Sequence, residues 1–260
     1  MKGYYITQRT GIVWYYLIVH VSRAVERNLD CRGNFKMCFS ATASFAGGVI
    51  ITSIGAAAIR KNTEPSQRLF AAIPMLFGLQ QISEGFVWLA LQSPGHDLLL
   101  KVSAYFFLVI ALVVWPTMLP LSVLHMERLE QRRRMLYVSL VTGMAVSFCF
   151  MIYILIFKMT AQISSYHILY AIDYPQQFAD LGAIAYIIAT IPPLFVSSKR
   201  GMGLFGTIIV LSYGVTRFFY GEYLISVYCF FAALASVVIL RIVLKNSEAA
   251  NYAEPQRSVT

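Results

Sequence analysis

The sequence predicts an all-α fold, a polytopic membrane bundle of seven transmembrane helices, on three observations. Of the 260 residues, 58% are hydrophobic and only 13% are charged, whereas a soluble protein carries about 25% charged residues. The apolar residues form stretches close to the roughly 20 residues that cross a hydrocarbon core. The basic residues lie mainly in alternate connections between those stretches. Lipid is therefore the expected solvent and the expected partner of most of the surface.

The predicted spans follow one another with short connections. In order they are Ala41–Ile59, Leu69–Leu91, Val102–Leu124, Leu136–Phe157, Leu181–Val196, Gly203–Phe219 and Tyr223–Leu244. The longest connection, near Thr160–Phe178, is far shorter than the roughly 50 residues of a small domain. The sequence therefore excludes an attached ATPase, kinase or DNA-binding module. Any activity has to reside in the bundle or in its loops.

Basic residues predict the orientation of the spans. With seven spans, one side of the membrane receives twelve of them: Arg60, Lys61, Arg68, Arg128, Arg132, Arg133, Arg134, Lys199, Arg200, Arg241, Lys245 and Arg257. The opposite side receives Lys101, Lys158 and Arg217. The positive-inside rule then places the C-terminus in the cytoplasm and the start of the first span outside. The net charge of +9 is explained in this way, and we expect no nucleic-acid partner.

The predicted transmembrane domain covers residues 37–245 and precedes a disordered cytoplasmic tail, residues 246–260. Residues 1–36 hold six basic residues on the outer side, against the rule. Two interpretations stay open for this segment. It is an upstream extension that is not native, with Met37 as the natural start, or it is an interfacial segment with Trp14, Tyr15 and Tyr16 at the headgroups.

The second predicted span carries the candidate site. Five of its side chains cover about half of the helix circumference, with Glu84 near the middle: Gln80, Gln81, Ser83, Glu84 and Trp88. A charged side chain at the bilayer centre costs about 2.5–3.5 kcal/mol on insertion scales, so this face has to meet other helices or water. Two interpretations remain open: a polar pocket for a small molecule, or a structural clasp between helices.

Depth in the membrane adds two candidates from other spans. Glu84 and Arg217 lie at similar distances from the cytoplasmic ends of their helices, and Tyr228 enters from outside at a similar depth. We expect a Glu84–Arg217 pair, or each residue bonded to nearby polar groups. The candidate ligand-binding residues are Glu84, Gln80, Gln81, Ser83, Trp88, Arg217 and Tyr228.

The remaining chemistry-bearing residues predict neither a metal site nor a cofactor. The four histidines and four cysteines lack metal-ligand spacing, and the loop residues His96 and His167 are expected to be solvated. The function classes that remain are a protein that binds or transports a small molecule, an intramembrane enzyme of the hydrolase type, and a sensor or assembly subunit of a membrane complex. Seven-span zinc hydrolases use histidines on their last span, which this chain lacks. Whether the protein is an enzyme, and which protein partners it has, stay open.

Several motifs resemble an uncharacterised family of bacterial multi-pass membrane proteins whose members open with Met-Cys-Phe-Ser-Ala. The matching residues are Met37–Ala41, Leu79–Gly85 with Val87 and Trp88, Trp115–Pro116, and Tyr228–Ala233. The resemblance covers about Met37 to Leu244. It implies a multi-pass protein of the bacterial inner membrane, and it implies no particular reaction.

Overall fold

A computed structural model describes residues 40–164, 167–172, 176–219 and 224–253. Most of them are helical, which confirms the prediction of a mainly helical chain. In chain order the helices are α1 (Ala41–Lys61), α2 (Arg68–Gln92), α3 (Asp97–Leu108), α4 (Trp115–Met126), α5 (Glu130–Ile156), α6 (Gln176–Thr190), α7 (Pro192–Val196), α8 (Met202–Phe219) and α9 (Leu224–Ala253).

Three shorter elements complete the chain order. A 3₁₀ turn, Pro65–Gln67, precedes α2, and a π-helical segment, Val109–Val114, joins α3 to α4. Strands β1 (Met159–Ser164) and β2 (His167–Ile172) form an antiparallel hairpin between α5 and α6. The sequence analysis predicted a loop at this position. The two predictions for residues 1–36 lie outside the described residues.

Length and surface composition indicate association with a membrane. In the part of the chain that the structure describes, three helical stretches are long and apolar enough to cross one: Ala41–Lys61, Asp97–Met126 and Glu130–Ile156. Helix α5 exposes apolar side chains along its length, including Val138 at 66%, Phe148 at 67% and Leu155 at 74%. Soluble proteins rarely expose apolar patches larger than a few hundred Å².

Helix α2 is central, because it packs against α1, α3, α4 and α9. Its contact with α1 is close enough to require glycine on both helices. A Cβ added at Gly78 would lie 2.7 Å from the backbone N of Thr52, and one at Gly48 would lie 3.1 Å from the Gly78 carbonyl oxygen. Small residues allow such backbone approach between membrane helices. The α1–α2 pair is thereby a rigid support for the polar face of α2.

The π-helical segment positions the start of α4. Pro116 has no backbone N–H, so it cannot continue the regular hydrogen-bond pattern. Carbonyls of the segment instead bind side chains of other helices. The Ala111 oxygen accepts from the Tyr186 hydroxyl at 2.9 Å, and the Val113 oxygen accepts from the Ser147 hydroxyl at 2.6 Å. These bonds fix the helix turn that carries Trp115.

Helix α9 continues to Ala253 and therefore extends into the segment predicted as a disordered tail. Ser247 on this extension is buried, and its hydroxyl oxygen accepts from the backbone N–H of Thr63 at 3.3 Å. The part of the predicted tail up to residue 253 is thus helical. The rest of that tail, residues 254–260, lies outside the described residues.

Candidate functional site

The polar face of α2 is buried in the bundle. Gln80 and Glu84 are each 2% exposed, and Ser83 and Trp88 are each 5% exposed. Gln81 is partly buried beside them. The sequence analysis predicted that this face meets other helices or water rather than lipid, and the burial agrees with the first of these alternatives. The structure brings these five candidates together on one helix.

Two hydrogen bonds tie this face to α3 and α4. The Ser83 hydroxyl donates to the Ser103 carbonyl oxygen at 2.7 Å. The indole N–H of Trp115 donates to Gln80 Oε1 at 2.9 Å, and the Trp115 ring packs on Phe77 with centroids 4.3 Å apart. Burying a polar group without a partner costs free energy, so both bonds stabilise the native packing. Sequence reasoning missed Trp115 and Ser103 as members of this cluster.

Glu84 is bonded within its own helix. Gln81 Nε2 donates to Glu84 Oε2 at 3.1 Å, across one turn of α2. The other amide atom, Gln81 Oε1, is buried and accepts no hydrogen bond from the residues that the structure describes. Since buried polar atoms in proteins are nearly always paired, this oxygen is an acceptor with unused capacity beside a buried carboxylate.

The candidates from α8 and α9 have different outcomes. Arg217 is exposed in the last turn of α8, and the ion pairs among the described residues do not join it to Glu84. For Glu84, the bond from Gln81 agrees with the other expectation, that Glu84 and Arg217 each bond to nearby polar groups. Tyr228 belongs to α9, which packs against α2, but its side chain lies outside the described residues.

The β1–β2 hairpin covers the end of α2 beyond Glu84. Ile168, which is 1% exposed, packs in one cluster with Val87, Trp88 and Ala104. Tyr170 stacks on Phe107 of α3, with ring centroids 4.7 Å apart. The expectation of a solvated hairpin region is wrong for His167, which is buried, and this burial lowers its pKa to about 4.

A second buried carboxylate, Glu127, lies at the end of the bundle that holds the arginine run, in the connection between α4 and α5. It is 1% exposed and accepts four hydrogen bonds. The donors are the backbone N–H groups of Arg128 and Leu129, at 3.0 Å each, and the backbone N–H and hydroxyl of Ser198, at 2.7 and 2.8 Å. Burial alone would raise the pKa of Glu127, but these bonds outweigh it and lower the pKa from 4.5.

The arginine run next to Glu127 also binds backbone carbonyls. Arg132 donates to the Val196 oxygen at 3.0 Å, which joins α5 to the end of α7, and Arg133 donates to the Glu127 carbonyl oxygen at 3.1 Å. We call Glu127, Ser198, Arg132 and Arg133 the inner clasp. Sequence reasoning missed it, although an acid among the arginines of a basic connection is a visible signal. Among the described residues, no group of three His, Cys, Asp or Glu side chains can hold a metal ion.

The helices and the buried polar cluster define a mainly helical protein that associates with membranes. Its family follows from comparison with known proteins: the chain belongs to the family of unknown function DUF6629, whose model matches residues 37–254. This confirms the resemblance to an uncharacterised family. Searches of curated proteins and of solved structures give no match.

Proposed function

We propose that the protein is a seven-span protein of the bacterial inner membrane that binds a small hydrogen-bond donor at the polar face of α2. The proposed site consists of Glu84, Gln80, Gln81, Ser83 and Trp88. Tyr228 stays a candidate because its helix packs against α2. Arg217 is left out of the site because its side chain is exposed.

The observation that carries the proposal is the unused acceptor at Gln81. Three donors of this cluster are already engaged: the Trp115 N–H binds Gln80, the Ser83 hydroxyl binds Ser103, and Gln81 Nε2 binds Glu84. Among the described residues, Gln81 Oε1 has no donor, and a carboxylate has lone pairs for several hydrogen bonds. A ligand that fits these groups brings N–H or O–H donors, and an ammonium group supplies N–H donors together with a positive charge.

A fluorescence titration tests this proposal. The protein, carrying Trp14→Phe in every sample, is titrated with ethylammonium in lipid nanodiscs, and the emission of Trp88 and Trp115 is followed. We expect a saturable change in this parent protein and in the Glu130→Gln control, whose side chain is 71% exposed, and none in Glu84→Gln. Tetramethylammonium, a cation without N–H donors, is expected to give no change. Equal responses to both cations, or an unchanged response in Glu84→Gln, would contradict donor binding.

The seven-span topology is supported by the agreement between predicted spans and helices and by the alternation of basic residues. It places the inner clasp at the cytoplasmic surface and the β1–β2 hairpin outside. Reporter fusions after Arg134 and after Lys245 are expected on the cytoplasmic side, and fusions after Gly95 and after Ser164 on the outer side. If the fusions after Arg134 and after Lys245 report opposite sides of the membrane, the seven-span topology is wrong.

A further inference from the structure

The β1–β2 hairpin lies on the bundle through one face. Side chains alternate between the two faces of a strand, so Ile168, Tyr170 and Ile172 share a face. In the register of the hairpin, Tyr170 is opposite Ala161 and Ile172 is opposite Met159, which adds two more apolar residues to that face. These side chains pack against α2, α3 and the end of α5.

The opposite face of the hairpin is turned away from the bundle except next to the turn, where His167 is buried. Thr160, Gln162 and Ala171 on that face are exposed. A two-stranded hairpin is at best marginally stable in water without a packing partner. Its position therefore depends on a small set of side-chain contacts, above all those of Ile168 and the Tyr170–Phe107 stack.

The hairpin covers the same helix face that carries Glu84. Trp88 lies one helical turn beyond Glu84 on α2 and packs in the cluster of Ile168. Ala104 belongs to that cluster too, and it directly follows Ser103, whose carbonyl binds Ser83. The residues that the hairpin contacts therefore adjoin the residues of the polar cluster on both α2 and α3.

We propose that the β1–β2 hairpin is the gate of the Glu84 site. In its docked position it closes the outer end of the polar face, and a ligand reaches Glu84 from that side only when the hairpin lifts from α2 and α3. The inference rests on the proposed function for the identity of the site. It adds the route of access and the element that controls it.

Cysteine accessibility tests the gate. Ser83→Cys is introduced into a chain whose four cysteines are replaced by alanine, and its reaction with a membrane-impermeant trimethylammonium methanethiosulfonate is timed from the outer side. We expect slow reaction with the natural hairpin and about tenfold faster reaction when Ile168→Ala is added. The matched control Gln162→Ala, on the exposed face of the same hairpin, is expected to change the rate less than twofold. Equal rates in all three backgrounds would overturn the gate.

A second measurement leaves Ser83 in place. In a chain with Trp14→Phe and Trp115→Phe, emission comes from Trp88, and quenching by iodide reports its access to water. Ile168→Ala is expected to raise the quenching constant several-fold and Gln162→Ala to leave it unchanged; equal constants would overturn the gate. If ethylammonium fails to bind while these rates still depend on Ile168, the proposed ligand is wrong and the gate stands.

Discussion

Among the residues that the structure describes, two glutamates are buried, and their surroundings differ in one respect. Glu127, at the inner clasp, accepts four hydrogen bonds from two connections of the chain. Glu84, in the middle of the bundle, is bonded to Gln81, whose own amide oxygen is buried and has no donor in the described part of the chain. The first cluster is saturated with donors, and the second has acceptor capacity left over.

This difference separates a structural acid from a candidate functional acid. A carboxylate that accepts several hydrogen bonds stabilises the fold, because removing it leaves several buried donors unpaired. A cluster with an unpaired buried acceptor carries a free-energy cost in the ligand-free protein. Binding of a ligand that donates a hydrogen bond to this acceptor removes that cost. Buried ionisable groups inside membrane proteins commonly serve function, and the spare acceptor distinguishes Glu84 from Glu127 in this chain.

The largest expected effect is on stability at the inner clasp. Glu127→Gln replaces an acceptor oxygen with an amide that meets backbone donors, and we expect a loss of about 3 kcal/mol in the free energy of unfolding. Glu84→Gln keeps an acceptor for Gln81 and is expected to cost about 1 kcal/mol. Unfolding in mixed detergent micelles measures both. Equal losses for the two variants would remove the distinction between the clusters.

A smaller effect is expected at Trp115. Trp115→Phe removes the N–H that binds Gln80 and retains an aromatic ring against Phe77, so the expected loss is about 1–2 kcal/mol in the same assay. Affinity for ethylammonium should fall as well, because Gln80 loses its fixed orientation. The control Phe106→Leu, at an aromatic residue that is 47% exposed, is expected to change neither quantity by much. An unaltered affinity in Trp115→Phe would place Gln80 outside the site.

Ser198→Ala tests the donor count at the inner clasp. It removes the hydroxyl that binds Glu127 at 2.8 Å and leaves the backbone N–H of residue 198, at 2.7 Å, in place. The expected loss is about 1 kcal/mol of unfolding free energy, with affinity for ethylammonium unchanged. Ser53→Ala, at an exposed serine of α1, serves as the control. A change in ligand affinity would show that the two ends of the bundle are not independent.

As the pH falls, the β1–β2 hairpin is expected to lose its docking before the inner clasp weakens. The change in the free energy of unfolding is expected to be smaller than for the substitutions above. His167 has its pKa lowered from 6.5 to about 4 in the docked hairpin, so its contribution to docking is full above pH 6.5 and is lost as pH falls toward 4. Glu127 has its pKa lowered from 4.5, so the inner clasp holds above pH 4.5 and weakens as pH falls below it.

Amide hydrogen exchange, corrected for intrinsic rates, checks this order. Between pH 6.5 and 4.5, protection should fall in strands β1 and β2 and persist at residues 127–129. A His167→Gln variant should lose the pH dependence of the hairpin. Simultaneous loss of protection at both ends would contradict the assignment.

Much of the helical framework could be predicted from the sequence. Apolar stretches and basic connections located the helices, because burial in lipid demands that pattern, although α5 begins at Glu130 rather than Leu136 and α9 ends at Ala253 rather than Leu244. The face of α2 from Gln80 to Trp88 was predicted to meet other helices or water because lipid does not solvate polar side chains. Its partners, Ser103 and Trp115, could not be predicted, because helix order along the chain does not determine which residues meet across the bundle.

The hairpin and the inner clasp were missed for different reasons. From Met159 to Ile172 the apolar residues recur at every second position on one face, which is a strand signal, but the length of the connection favoured a loop. Glu127 accepts bonds from Ser198, 71 residues away, and no local pattern reports such a contact. The extension of α9 beyond residue 245 was missed because its composition is polar, although Ser247 is buried against the α1–α2 connection.

Labelling with dicyclohexylcarbodiimide compares the two glutamates in one experiment. The reagent partitions into membranes and modifies protonated carboxyl groups that it reaches from the apolar phase, and peptide mass mapping locates the adduct. We predict an adduct on Glu84 that ethylammonium suppresses, and none on Glu127. An adduct on Glu127 without one on Glu84, or labelling of Glu84 that ethylammonium does not change, would contradict a ligand site at the polar face of α2.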